Sequence, residues 1–202
     1  MKAKILLIVL FAIAIDGNKS FAQDMTTGKN EVRIGYGMLT GVEMANAVYS
    51  IWPTIGISGI LRDTIADFSP SFYGVADMEY SRRLKPWISI GGSISLNPVN
   101  TYVRSKKGFE YTWTYYCFSV MPRVDFYYLN KGVFSMYSGI QVGASFIFWS
   151  DKTGNTSDND FGVSPAFHIN AFGIRVGKDI GGFVEWGYGF RGVVNFGLSA
   201  KF

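Results

Sequence analysis

The sequence predicts an all-β fold, an antiparallel barrel of eight strands, and three observations carry that prediction. From residue 31 to the last residue the dominant pattern is strict alternation of apolar and polar side chains, the period of a half-buried strand. Helical periodicity is nearly absent over the same stretch, although a domain of this size usually shows some. The segments that alternate are joined by connections that are short and long in turn except at the last hairpin, so all but one of the short ones gather at one end.

The first strand reads Glu31 to Leu39, with Val32, Ile34, Tyr36 and Met38 on one face and Glu31, Arg33, Gly35 and Gly37 on the other. The second, Ser71 to Tyr80, sets Met78 and Tyr80 against Asp77 and Glu79, and the third sets Ile88, Ile90, Ile94 and Leu96 against Ser89, Gly91, Ser93 and Ser95. The fourth is long, about Glu110 to Tyr128, with Val124, Phe126 and Tyr128 opposing Arg123 and Asp125. Pro122 lies on its apolar face and cannot donate to a ladder, so a local kink is expected there. The fifth, Phe134 to Phe148, alternates cleanly.

In the sixth, about Ala166 to Val176, Phe172, Ile174 and Val176 oppose Gly173 and Arg175, yet His168 and Asn170 share the apolar parity. A bulge near Ala171 would restore the register. The seventh sets Val184, Trp186, Tyr188 and Phe190 against Glu185, Gly187, Gly189 and Arg191, and the eighth ends on Phe202. Short turns are expected at 82–86, 130–132, 177–182 and 191–192, and longer loops at about 40–70, 97–108 and 150–162. In the first of these loops Val42 to Ile51 reads as a short helix stopped by Trp52-Pro53.

The N-terminus has its own grammar. Lys2 and Lys4 precede an apolar run from Ile5 to Ile15, and a polar stretch leads to Ser20-Phe21-Ala22, the layout of a secretory signal cut after Ala22. The run of 11 residues is too short for a membrane helix, which needs roughly 20. The expected organisation is a signal peptide at 1–22, a short extension at 23–30 and a barrel at 31–202. Removing Lys2, Lys4, Lys19 and Asp16 from 19 basic and 15 acidic residues leaves 16 against 14, so net charge gives no argument for nucleic-acid binding. Cys117 is the sole cysteine and can form no internal disulfide.

Arg33, Asp77, Glu79, Arg123, Asp125, Arg175 and Glu185 all fall on the polar face, together with Glu31, Arg191 and Lys201, five acids and five bases. Lys or Arg facing lipid at mid-bilayer costs about 2–4 kcal/mol, so in a membrane barrel this face is the lumen. An eight-stranded barrel is just wide enough for side chains to fill it, and balanced charge in so narrow a space predicts pairing. Tyr80, Trp87, Tyr127, Tyr128 and Phe202 cluster at the short-turn end, as an interfacial aromatic belt does.

The remaining motifs carry little chemistry. Gly187 to Gly192 matches G-x-G-x-x-G, but strand continues on both sides where the dinucleotide fingerprint needs a helix. Asn155-Thr156-Ser157 is a glycosylation sequon by chance. Small outer-membrane lipid A deacylases use a His-x-Ser pair, whereas here the triplet is His168-Ile169-Asn170, with no nucleophile in that place. No catalytic residue, metal ligand or cofactor is assigned. Arg104, Lys106 and Lys107 form a basic cluster in an outer loop that could meet lipopolysaccharide phosphates.

The layout over residues 31 to 202 resembles the OmpX/OmpA-type small outer-membrane barrels, including the Bacteroidetes members known as outer-membrane β-barrel proteins. The terminal strand, Gly192 to Phe202, resembles the signal read by the barrel-assembly machinery, with Phe202 as its closing aromatic. The resemblance implies a place in the outer membrane, with outer-membrane lipid, lipopolysaccharide and the assembly machinery as partners. It does not imply an activity, since this scaffold hosts anchors, adhesins, conduits and a few enzymes. The expected function is a structural or surface-interaction barrel with a salt-bridged, non-conducting lumen. A conduit for small hydrophobic or lipid molecules is the second reading, favoured by a hollow outer lumen lined by Tyr137, Trp113 and Trp149. A lipid-modifying enzyme is the third.

Overall fold

The structure, a computed structural model, describes residues 29–45, 65–105, 110–153 and 156–202. The expected signal peptide, most of the 23–30 extension, the second half of the loop helix with Trp52-Pro53, Asn155, Lys106 and Lys107 lie outside the described residues.

The described chain is all-β apart from one turn of helix at 41–45. Its strands are β1 (Asn30–Met38), β2 (Ile65–Phe72), β3 (Val75–Lys85), β4 (Ile88–Ser105), β5 (Glu110–Lys131), β6 (Phe134–Thr153), β7 (Thr156–Gly177), β8 (Ile180–Gly189) and β9 (Val194–Lys201). Both β2 and β3 pair with β4, β2 beside its upper half and β3 beside its lower half, so the two form a single stave interrupted at Tyr73-Gly74. All pairings are antiparallel, β1 joins β3 to β9, and the β4–β5 pairing closes the ring at eight staves. Closure leaves no free edge in the ring itself.

The ring is not level. The strands β5, β6 and β7 run 22, 20 and 22 residues, whereas β1, β8 and β9 run 9, 10 and 8. The loops expected at 97–108 and 150–162 are therefore largely strand, with β4 continuing to Ser105 and the β6–β7 hairpin turning only between Thr153 and Thr156. These extensions are rich in Ser, Thr, Asn, Asp and Lys, so the alternation that reveals a strand with one apolar face is lost.

The sixth expected strand keeps its register through a bulge. On β7 the pairing with β8 shifts between Asn170 and Phe172, leaving Ala171 as the extra residue, and the pairing with β6 shifts by one residue over the same bulge, between Asn170 and Gly173. Both His168 and Asn170 consequently face inward with Gly173 and Arg175. The Asn170 amide bridges the irregularity, its NH2 donating to the carbonyls of Phe172 (2.9 Å) and Trp186 (3.2 Å). Pro122 causes no shift: the β5–β6 register is the same on either side of it, and the irregularity in β5 falls at Tyr128 instead. Proline removes one N–H without adding a residue, and only an added residue changes register.

The barrel is turned inside out relative to a water-soluble domain. Among the described residues eleven charged side chains are buried inside the barrel, Arg123 with 2% and Glu185 with 1% exposure, while Leu198 and Val142 on the outer face are 68% and 65% exposed. Large apolar side chains stand exposed on every stave, where a soluble monomer leaves such residues exposed only singly or in small patches.

Candidate functional site

Inward charged positions on four staves, those of β1, β3, β5 and β8, build the ionic core. On β5, Arg123 and Asp125 are two residues apart and so share a face. The Arg123 Nε donates to both Asp125 oxygens (2.8 and 2.9 Å), Nη1 to Glu79 Oε1 (2.5 Å) and Nη2 to Glu185 Oε1 (2.6 Å). On β1, Arg33 repeats the arrangement. Its Nε donates to Glu31 (2.8 Å), Nη1 to Glu185 Oε1 (3.1 Å) and Nη2 to the Tyr127 hydroxyl (2.9 Å), and its guanidinium lies 4.5 Å from the Tyr137 ring centre.

Arg191 joins the same cluster although it sits in the β8–β9 turn. Its Nη1 donates to Glu185 Oε2 (2.9 Å) and Nη2 to Asp77 Oδ1 (2.9 Å), and it is also in contact with Glu79. Glu185 is thus shared by Arg33, Arg123, Arg191 and the Tyr137 hydroxyl (2.8 Å). The Gln141 side chain caps the group: its carbonyl accepts from Arg191 (2.8 Å) and Arg123 (3.2 Å) while its NH2 donates to Ser93 Oγ (2.6 Å). Asn195 donates to Asp77. Glycine at 139 is required for this packing, since a Cβ there would collide with Asp125 Oδ1.

Burying ions costs several kcal/mol each unless partners replace water, and the interleaving of guanidinium and carboxylate groups supplies those partners. Arg175 belongs to a second, lower group. It donates to Ser199 Oγ (2.7 Å) and to the carbonyls of Gly177, Lys178 and Asp179 in the β7–β8 turn, with Glu31 3.2 Å from its Nε. Of the seven residues singled out from sequence, six meet in the central cluster and Arg175 braces a turn below it. Arg191, which the parity of the seventh expected strand placed on the same polar face, lies in the turn after β8 and still reaches the cluster.

The other end of the lumen is closed by chain leaving β1. Leu39, at φ 57°, turns that chain inward, and Thr40 and Glu43 form a capping box at the start of the 41–45 helix. The Thr40 N–H donates to Glu43 Oε2 (2.9 Å) and the Glu43 N–H to Thr40 Oγ1 (3.1 Å). Glu43 Oε1 also accepts from the N–H of Gly74 (2.8 Å), whose φ of 69° makes the break between β2 and β3. The Asn97 side chain, facing inward from β4, bonds the Thr40 hydroxyl (2.6 Å). Both Thr40 and Glu43 are fully buried. Sequence reading passed over this latch, and Thr40-x-x-Glu43 was the signal that could have found it.

Other expected positions fall as follows. Tyr137 is not in the outer lumen but in the ionic core, and Trp149 is half-buried toward the long-strand end. Trp113 lies on β5 in register with Thr101 and Asp151. Arg104, one residue before the end of β4, is in register with Glu110. Phe202 exchanges two backbone hydrogen bonds with Asn30 (both 2.9 Å), fastening the β1–β9 seam. His168 is buried in register with Gln141 and Gly189, and among the described residues neither of its ring nitrogens has a hydrogen-bond partner. Cys117 faces the lumen in register with Asn97. No protein-family model matches the chain, and no curated protein matches it in sequence.

Proposed function

We propose that the chain is an outer-membrane β-barrel of the OmpX/OmpA type, exported by residues 1–22, that acts as a structural or surface-interaction protein and does not conduct. The observation that carries this reading is the inversion of the barrel, with paired charge inside and bare apolar side chains outside. A bilayer is the solvent that suits such an exterior, and a closed barrel satisfies every ladder hydrogen bond within it. The ionic core and the Thr40–Glu43 latch both stand across the axis a solute would follow, which favours a structural over a transport role.

The uneven rim favours contact with other molecules. Among the described residues, β7 from Thr156 to Ala166 pairs with β6 alone, because its pairing with β8 begins only at His168. Strand backbone open on one side is a template for an added strand. The long strands therefore raise a wall beyond the short staves, on the side opposite the short turns.

The test is expression of the full chain in a Gram-negative host with membrane fractionation and electrophoresis before and after boiling. The expected result is a protein in the outer-membrane fraction, lacking residues 1–22, that migrates faster unboiled than boiled. Recovery in the soluble fraction, or one mobility in both states after proper extraction, would refute the membrane reading.

A further inference from the structure

The short-turn end of the barrel repeats one arrangement three times. In the β3–β4, β5–β6 and β7–β8 turns a lysine is followed two residues later by an exposed apolar side chain: Lys85 and Trp87, Lys131 and Val133, Lys178 and Ile180. The lysines are all exposed, and the apolar partners are 42%, 46% and 77% exposed. These turns join successive pairs of staves, so the pairs are spread around the rim. Lys29 and Arg82 are also exposed there, and Asp179 is the one exposed acidic side chain at this rim among the described residues.

The opposite hairpins differ in composition. Residues 104–110 and 151–160 carry Arg104, Lys106, Lys107 and Lys152 against Glu110, Asp151, Asp158 and Asp160, equal numbers of each sign. The excess of positive charge therefore belongs to the short-turn rim.

We propose that this rim binds the headgroups of anionic phospholipids, of the phosphatidylglycerol class, in the leaflet that surrounds it. The inference rests on the membrane-barrel reading above. An apolar side chain beside each lysine distinguishes the ring from a site for a soluble polyanion, which would leave that side chain against water. Trp87 shows the geometry: its indole stacks on Phe126 of the outward face (6.3 Å between rings, 16° between planes), while the Lys85 ammonium lies 5.9 Å from its centre. The ring thus marks the boundary between acyl chain and headgroup, and the ammonium stands at phosphate level. Lysines near an anionic membrane surface are attracted individually, and the attraction falls off within a Debye length, about 8 Å at physiological salt.

The experiment uses the full chain folded into vesicles of zwitterionic phosphatidylcholine, with either that lipid or phosphatidylglycerol carrying bromine on its acyl chains. Quenching of Trp87, taken as the part of the fluorescence lost in Trp87→Phe, reports which lipid lies beside the rim. The wild type is expected to favour brominated phosphatidylglycerol by about threefold or more at low salt, with the preference fading in about 0.5 M salt. Arg82→Gln/Lys85→Gln/Lys131→Gln/Lys178→Gln should remove the preference, and the smaller Lys131→Gln/Lys178→Gln pair should reduce it. Arg104→Gln/Lys152→Gln, on β4 and β6 at the opposite end, should leave it intact. Equal quenching by both lipids in the wild type, or preference retained in the fourfold variant, overturns the inference while leaving the barrel standing. Quenching by neither lipid would instead show that the barrel had not entered the bilayer, which is the failure of the reading beneath it.

Discussion

Arg123 on β5 and Glu185 on β8 are 62 residues apart in sequence and meet inside the barrel at 2.6 Å. Neither strand pairs with the other, since β6 and β7 lie between them in the ring. Their contact is made across the lumen, and it ties opposite walls of the barrel through charge.

Removing one member of such a pair strands the other. Arg123→Ala leaves Glu79, Asp125 and Glu185 each short of a buried guanidinium partner, and a loss of about 3–5 kcal/mol is expected in denaturant unfolding from micelles or vesicles. Arg123→Lys should recover part of the loss, because an ammonium restores charge but not the fork that reaches three carboxylates. Wild-type stability in Arg123→Ala would show that the cluster contributes nothing to the barrel.

The latch predicts a chemical readout at the barrel's own cysteine. Cys117 is buried in the lumen with 2% exposure, in register with Asn97, which holds Thr40. Glu43→Ala removes the acceptor of both the Thr40 and Gly74 N–H groups, so the segment should leave the mouth more often. Labelling of Cys117 by a water-soluble maleimide in folded protein should quicken at least about tenfold, corresponding to roughly 1.4 kcal/mol in the opening equilibrium. An unchanged labelling rate would mean that the latch does not control access.

Gly74 is predicted to resist substitution more than Gly132. Its φ of 69° is strained for any side chain, and a Cβ would press on the Gly37 carbonyl and the Tyr36 ring. Gly74→Ala should cost about 1–3 kcal/mol in the same unfolding measurement. Gly132, also at positive φ but with open space around it, should lose less on the same change.

Phe202 fastens the seam through its backbone and ends the terminal strand with an exposed ring, 64% accessible. A chain ending at Lys201 is expected to reach the outer membrane at a fraction of the normal level, while protein refolded in vitro remains heat-modifiable. Normal levels in cells would remove the assembly role proposed for the ring.

What the sequence made legible follows from where side chains meet two different media. Strands with lipid-like exterior and polar interior alternate, so β1, β3, the lower half of β4 and β9 could be read residue by residue. The same reading located the bulge at Ala171, because His168 and Asn170 broke the parity. Above the short staves the alternation disappears from the sequence, and the extensions of β4, β6 and β7 read as loops. The charge cluster could be assembled as a set but not as a geometry: parity placed Arg123 and Glu185 on one face, whereas only the barrel's closure showed that they touch. Glu43 reaches the lumen from a connection, where parity has no meaning.

The charged lumen is expected to act as a seal. Recording from the purified full chain in a planar bilayer tests it most directly, with insertion verified beforehand by the mobility difference between boiled and unboiled protein. A silent baseline is expected from the wild type across moderate voltages. Steady unitary conductance from the wild type, or Arg123→Ala protein with unchanged stability and a new open state, would contradict it and make the cluster a gate.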